Sequence, residues 1–456
     1  MNVSHSPVSL WDEQLDARLK FSAAQGVLEC DVVIVGGGFT GLWTAWWLTH
    51  IAPHLSVAIV ESQHVGFGAS GRNGGWASAL FPQSMDGVAQ SAGREAARLQ
   101  QQMMFDNVLE LEQAIFSSGI ACGWHRGGTL SIARTQAQVS RAEAELAYFR
   151  SWGFDEKYYQ WLDASEASAR LNSPNTRGAL FTPWCARIQP AALCAELARV
   201  LTAAGVQIFE QSHVLEQSGT TVRTADATVT AGAVIWAIEA WKSQMAPRER
   251  IPVYSLMVAT QPLPESFWDQ VGLNNYETFA DFRNLIIYGQ RTTDNRIAFG
   301  GRGAPYHWGS SLTAEFDNEP KIHAAIIDVL HELIPATQDF EITHRWGGPL
   351  GIHRNWYPAV TWNEQRRTGE AGGYVGDGVA ATFLAAKTLA HSVAGIDHPC
   401  RQLPWVNHAS PLWEPEPVRW LAANAGLRAM TLADFEEKIT RRPSLAARFM
   451  NQFLGH

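Results

Sequence analysis

Three glycines at fixed spacing, Gly36, Gly38 and Gly41, lie between an apolar run, DVVIV at residues 31–35, and a segment of helical character. That arrangement suits a phosphate. The first glycine permits a tight turn, the second lets backbone approach a pyrophosphate, and the third allows the helix to pack closely on the strand. Helix N–H groups and the positive end of the helix dipole then face the phosphates, each such charge interaction being worth ~0.3–1 kcal/mol at an exposed site. Glu61 ends a second apolar run, SVAIVE, twenty residues after Gly41. A carboxylate there can accept from ribose hydroxyls and would repel a 2′-phosphate. The glycine motif alone is a weak signal, but strand, spacing, helix and acid agree on FAD or NAD rather than NADP.

The stretch GFGASGRNGG, residues 66–75, separates those two. A nicotinamide enzyme has no need of a second run of close-approach backbone. A flavin does, because its ribityl and ring portion extends away from the adenosine. A nucleophile elbow, GxSxG, is excluded because Arg72 stands where its last glycine belongs. A third glycine cluster, Gly376-Asp377-Gly378-Val379 within GGYVGDGV, opens a long apolar helix. Taken alone it is a tight turn.

Together DVVIVGGGFTGLWTAWWL, VAIVES, GFGASGRNGG and GGYVGDGV resemble the D-amino-acid-oxidase-type superfamily of FAD-dependent amine and amino-acid oxidoreductases, and GASGRNGG in particular its gamma-glutamylputrescine oxidase-like branch. The resemblance covers most of residues 30–395. It implies that Gly36, Gly38, Phe39, Thr40 and Gly41 meet the pyrophosphate, with Glu61 on the adenosine ribose and Ser62 nearby. It further implies that Ala69, Ser70, Arg72, Asn73, Gly74 and Gly75 line the pyrophosphate, ribityl chain and flavin ring. Val214, expected in a strand after VQIFE, would hold adenine through its backbone, and Ala237 would pass beside the phosphates. Gly376, Asp377, Gly378 and Val379 would turn N–H groups toward the flavin pyrimidine edge, where preorganised donors stabilise the charge that reduction leaves. Many members carry His where this chain has Asp377. Covalent attachment of the flavin needs a His or Cys that the loop at 66–75 and the segment at 345–356 do not offer in the required place, so the FAD is expected to be dissociable.

The resemblance also places substrate between the flavin and an antiparallel sheet. Tyr254, Met257, Tyr288, Arg302, Tyr306, His307, Trp346 and His353 come into consideration there. Tyr288 and Trp346 could form an aromatic wall holding an amine by contacts worth ~0.5–2 kcal/mol, and Arg302 could clamp a carboxylate. The expected reaction is hydride transfer from the carbon beside a neutral amine to flavin N5, giving an imine that water hydrolyses. The acceptor is O2, with peroxide as product, or an electron carrier. Two other readings stay open at this point: an FAD monooxygenase using NAD(P)H, and a flavoprotein with a structural or scaffolding role.

The elements that must position these residues read as an α/β fold, a Rossmann-like FAD-binding domain interleaved with an α+β substrate domain on a mostly antiparallel sheet. The expected division assigns 25–120, 166–249 and 346–405 to the first domain and 121–165 with 250–345 to the second. Residues 406–456 form a Pro- and Trp-rich tail packing on the body as an extended segment and short helix. A long helix is expected over 88–118. The net charge of −9 argues against nucleic acid or an anionic membrane as partner, leaving small molecules. Five cysteines without a CxxC pair suit a reducing compartment, and the first thirty residues carry no signal-peptide pattern, which suggests a cytoplasmic protein. The histidines form no helical ligand pair, so no metal site is expected. Oligomeric state is left open.

Overall fold

The structure, a computed structural model, describes residues 9–15, 18–440 and 444. Gly26–Val35 is the central strand of an eight-stranded sheet, and its last four residues are buried. An apolar run of this kind is what a strand covered on both faces requires. Its parallel neighbours are Val57–Val60 on one side and Ala227–Trp236 on the other. Gln207–Phe209 and Thr368–Gly372 continue the parallel set, and Ala359–Asn363 closes one edge antiparallel. The carboxyl ends of parallel strands are where ligands bind in open α/β sheets. Here those ends lead into the Gly36 turn, Glu61, Ala237 and the turn at 376–378.

Two helices that start at those turns, Phe39–Ile51 and Gly378–Ala394, pack against one another. Trp43, Trp46 and Trp47 gather around Phe383 with ring centroids 4.8, 5.9 and 5.1 Å away, and Trp47 Nε1 donates to the Phe383 carbonyl at 3.2 Å. The tryptophans of this helix therefore serve the core.

A second eight-stranded sheet runs in the order Ile342–Ile352, Ile251–Thr260, Ile297–Arg302, Ile287–Arg291, Thr278–Asp281, Thr129–Ala133, Gly178–Thr182 and Gln160–Asp163. All neighbours are antiparallel except Thr278–Asp281 beside Thr129–Ala133. Its membership shifts two of the expected boundaries. Gly178–Thr182 lies in this sheet although the sequence division gave 166–249 to the nucleotide domain, and Ile342–Ile352 crosses the boundary drawn at 346. A short apolar run such as GALFT fits either sheet, and its partner is fixed only by pairing with distant residues. The helix expected over 88–118 is two, Met85–Ala92 and Arg94–Ser117, divided at Gly93 with φ of 84°. Val214 lies in no strand but in the link between Gln207–Phe209 and Glu216–Ser218.

The tail carries a 23-residue helix, Val418–Thr440, longer than expected. Residues 441–443 and 445–456 of the expected tail lie outside the described residues. Among the described residues no helix is long and apolar enough to cross a membrane, and no group of three or more His, Cys, Asp or Glu side chains could hold a metal.

Candidate active site between the two sheets

At the nucleotide end, Gly36 has φ of 113°, and a Cβ there would run into the carbonyl oxygen of Ala237. A Cβ on Gly41 would likewise strike the Gly36 carbonyl oxygen, so the helix starts in direct contact with the strand end. Only glycine fits either position. The loop at 66–75 is stitched to this turn. Gly66 N donates to the Gly37 carbonyl at 3.0 Å, and Ser70 Oγ accepts from Phe39 N at 2.9 Å. Glu61 Oε2 accepts from Gly37 N at 2.8 Å, while Oε1 accepts from Gln63 N at 2.8 Å and lies 3.4 Å from Ser62 Oγ. Burial holds the Glu61 carboxyl above its ordinary value, against the downward pull of those N–H donors. Thr40 Oγ1 meets the Tyr374 hydroxyl at 3.1 Å, which fastens the first glycine turn to the late one. Val214 is partly buried against the Val33, Val35 and Val60 cluster.

The loop at 69–75 is held from within. Asn73 Nδ2 donates to the carbonyls of Ala69 and Ser70 at 3.1 and 2.8 Å, and Asn73 Oδ1 accepts from Gly75 N at 2.7 Å. Gln290 Nε2 donates to the Gly74 carbonyl at 2.6 Å from the second sheet. The Arg72 guanidinium, expected to line a cofactor, instead donates to Asp317 Oδ2 at 2.7 Å and lies over the Phe67 ring at 4.6 Å. What remains for a ligand is the loop's backbone. Trp346, expected in an aromatic substrate wall, is fully buried and donates from Nε1 to the Arg72 carbonyl at 2.9 Å. The register that sets it opposite Met257 turns it into a cluster with Leu10, Trp11 and Ala298, so it braces the loop from behind. Trp11 does the same, donating to the Asn73 carbonyl at 2.9 Å. Nothing in the sequence near Trp11 pointed to that role.

Tyr288 and Arg302 do converge. A Cβ on Gly74 would lie 2.6 Å from Tyr288 Cε2, so the ring rests on the bare backbone of the glycine loop. Its hydroxyl meets Ser255 Oγ at 2.7 Å, a partner the sequence did not single out. Arg302 Nη2 donates to the Val375 carbonyl, and its guanidinium stands 5.5 Å over Trp356. The same nitrogen lies 3.3 Å from where a Gly376 Cβ would be. Gly376 is exposed, Asp377 and Gly378 are half-buried and Val379 is buried. Asp377 N donates to the Tyr374 carbonyl at 2.9 Å, yet among the described residues its carboxylate receives no hydrogen bond, although it stands at the N-cap of Gly378–Ala394. Burial pushes this carboxyl up to about 6, with Arg302 pulling the other way. Burial also lowers Arg302 and raises Tyr288.

The other aromatic and histidine candidates lie elsewhere. Tyr254 and Met257 are buried in packing, Tyr306 bonds to Glu416 at 2.8 Å, and His307 stacks on Phe316. His353 joins a buried ionic network that the sequence did not reveal. Its Nδ1 donates to the Tyr357 carbonyl at 2.7 Å, which leaves Nε2 to accept from Arg250 Nε at 3.2 Å. Burial, reinforced by the Arg250 charge, lowers it to about 4. Arg250 also pairs with Glu370 and, at 3.5 Å, with Glu239, while Lys242 reaches Glu370 at 2.7 Å. Glu239 accepts from Gly373 N at 2.9 Å and Gly351 N at 3.2 Å, tying the late turn to the second sheet.

The chain is similar to known proteins over most of its length. Residues 31–392 match the family described as FAD dependent oxidoreductase. The chain is 28% identical over 383 residues to gamma-glutamylputrescine oxidoreductase of Escherichia coli, covering 82% of this chain and 86% of that protein. It is 28% identical over 389 residues to the probable oxidoreductase OrdL of Haemophilus influenzae, covering 83% and 86%. Glycine oxidase from Geobacillus kaustophilus shares the fold with a TM-score of 0.66 at 20% identity, over 84% of this chain and 99% of that one.

Proposed function

The chain belongs to the family of FAD dependent oxidoreductases, and from that premise we propose that it oxidises the C–N bond of a small amine or amino acid. The residues present fit the cofactor: glycines 36 and 41 leave no room for a Cβ, a carboxylate sits beside the first turn, and a second glycine loop presents backbone. Gly36, Gly38, Phe39, Thr40 and Gly41 with Ser70 would hold the pyrophosphate, Glu61 the ribose, and residues 73–75 and 376–379 the ring. FAD, when bound, supplies a two-electron acceptor for the hydrogen leaving the carbon beside the amine nitrogen.

The observation that carries this reading is the convergence of Tyr288 and Arg302, from the antiparallel sheet, on Gly74 and Gly376. Tyr288 offers an aromatic face to an amine, and its hydroxyl is fixed by Ser255. Arg302, anchored by one nitrogen, keeps other donors to orient a carboxylate. The half-buried Asp377 carboxylate can take a proton or face an ammonium group. The imine product hydrolyses to a carbonyl compound, and O2 is the acceptor. The name of the Escherichia coli relative supports an amine substrate.

The test is to purify the protein, release and identify its flavin by acid precipitation, and screen amines and amino acids for anaerobic bleaching and aerobic peroxide. A preparation that neither contains nor binds FAD sinks the whole reading. Bound FAD that no amine bleaches removes only the proposed chemistry.

A further inference from the structure

Arg187 ends the short strand Cys185–Arg187, which pairs with Trp76–Ser78 beside the glycine loop. It is only 6% exposed, yet among the described residues its side chain forms no ion pair and no hydrogen bond, and its Nε is buried with no acceptor. Its guanidinium lies 4.4 Å from the Tyr276 ring centroid. Arg291, from the end of Ile287–Arg291, lies 4.7 Å from the same centroid and 4.2 Å from that of Trp268. Among the described residues the only acceptor for the Arg291 side chain is the neutral Asn295 Oδ1, at 2.7 Å from Nη2. Among those residues, then, two like charges share one aromatic ring with no carboxylate bonded to either. Burial lowers both arginines, and each also feels neighbouring groups: Arg291 presses Arg187 down, while Tyr276 opposes.

A buried guanidinium without a counter-ion is costly, and contact with an aromatic face returns only ~0.5–2 kcal/mol. The pair lies beneath a rim that reaches the surface. Gly123, Asn275 and Thr293 on the rim are exposed. Gly123 presents no side chain, and a Cβ there would lie 3.0 Å from Thr293 Cγ2 and 3.6 Å from Arg187 Nη1, so a glycine and a threonine methyl border that edge of the guanidinium. His125 adds a half-buried ring that bonds to Asn275 Oδ1 at 3.3 Å. Glu277 is buried nearby and faces Arg170 and His125, and Glu265 reaches Arg291 only through its field. Arg291 sits at the opposite end of its strand from Ile287, which pairs with Gly301 next to Arg302, so the cluster shares no residue with the Tyr288–Arg302 site.

We propose that Arg187 and Arg291, organised around Tyr276, form a binding site for an oxyanion, a carboxylate or phosphate group of a small molecule. The planar forks of two arginines match both groups. This inference goes beyond the oxidation proposed above and is tested without turnover. The FAD-loaded protein is titrated calorimetrically, and its Tm followed, with glutarate in one arm and inorganic phosphate in the other, at constant ionic strength to remove screening effects. Binding in either arm is expected, with the stronger arm naming the source. R187Q and R291Q should each weaken it about tenfold or more, whereas R223Q, at an exposed strand end of the other sheet, should leave it intact. R187Q without anion should be at least as heat-stable as the parent, because it removes an uncompensated buried charge. If R187Q does not fold, R291Q and R187K decide the matter, the latter keeping charge while losing the fork. No heat and no rise in Tm with either probe overturns the proposal, as does unchanged binding in R291Q or loss of binding in R223Q.

Discussion

Asp377 is where a single side chain changes what this site can do. Its carboxyl has an ordinary value of 3.8 and is pushed up to about 6 by burial, with Arg302 opposing. A raised acid contributes stability that is fully present below the unfolded value and is lost as pH rises through the folded one. Asp377→Asn should therefore be more stable than the parent at pH 8, by up to about 3 kcal/mol, and no more stable below pH 4. The same substitution should erase a step near pH 6 in kcat/KM for a cationic amine. Matched thermal melts and rate profiles check both, and a step that survives in the Asn variant assigns it to another group. The glycine motif was legible from its spacing, and at Gly41 the requirement is local, because a Cβ there strikes the Gly36 carbonyl within the same turn. Arg72 and Trp346 were not, because their directions are set by Asp317 and by the Met257 register, far along the chain.

At the scale of elements, the helix Phe39–Ile51 begins so close to its strand that its first turn tolerates no extra carbon. Gly41→Ala should displace that turn, costing ~2 kcal/mol or more in urea unfolding, and the variant should purify with little flavin. Retention of full flavin and stability would mean that the contact is not needed. The strands Gly26–Val35 and Val57–Val60 could be read because the apolar runs VVIV and VAIV that end them are followed at once by glycine or an acid. The interruption at Gly93 could not, since the apolar pattern continues through it. Nor could the affiliation of Gly178–Thr182, whose pairing with Thr129–Ala133 spans a whole intervening helix.

At the scale of the molecule, Arg250 joins the two halves. It immediately precedes Ile251–Thr260 of the second sheet, while its guanidinium pairs with Glu370 of the first and with Glu239, and its Nε donates to His353. Arg250→Leu should leave Glu239 without its cation and Glu370 with Lys242 alone, and cost about 3–5 kcal/mol, seen as a lower urea midpoint. A loss below about 1 kcal/mol would show that water replaces the guanidinium. No charge pattern in the sequence links these residues, because the network exists only once the sheets meet. The helix Val418–Thr440 holds the assembly in another way. Asp434 accepts from the backbone N–H groups of Asn284 and Leu285 at 2.7 and 2.9 Å, just before the strand that carries Tyr288. Asn424 bonds both ways with the Tyr306 backbone, at 3.1 and 3.0 Å, just beyond the strand that ends in Arg302. The family match ends at residue 392, and these bonds lie beyond it. A chain trimmed to residues 31–392 would keep every glycine motif yet lose the braces at Asn284, Leu285 and Tyr306, so the region that defines the family is smaller than the piece that steadies both strands carrying the substrate candidates.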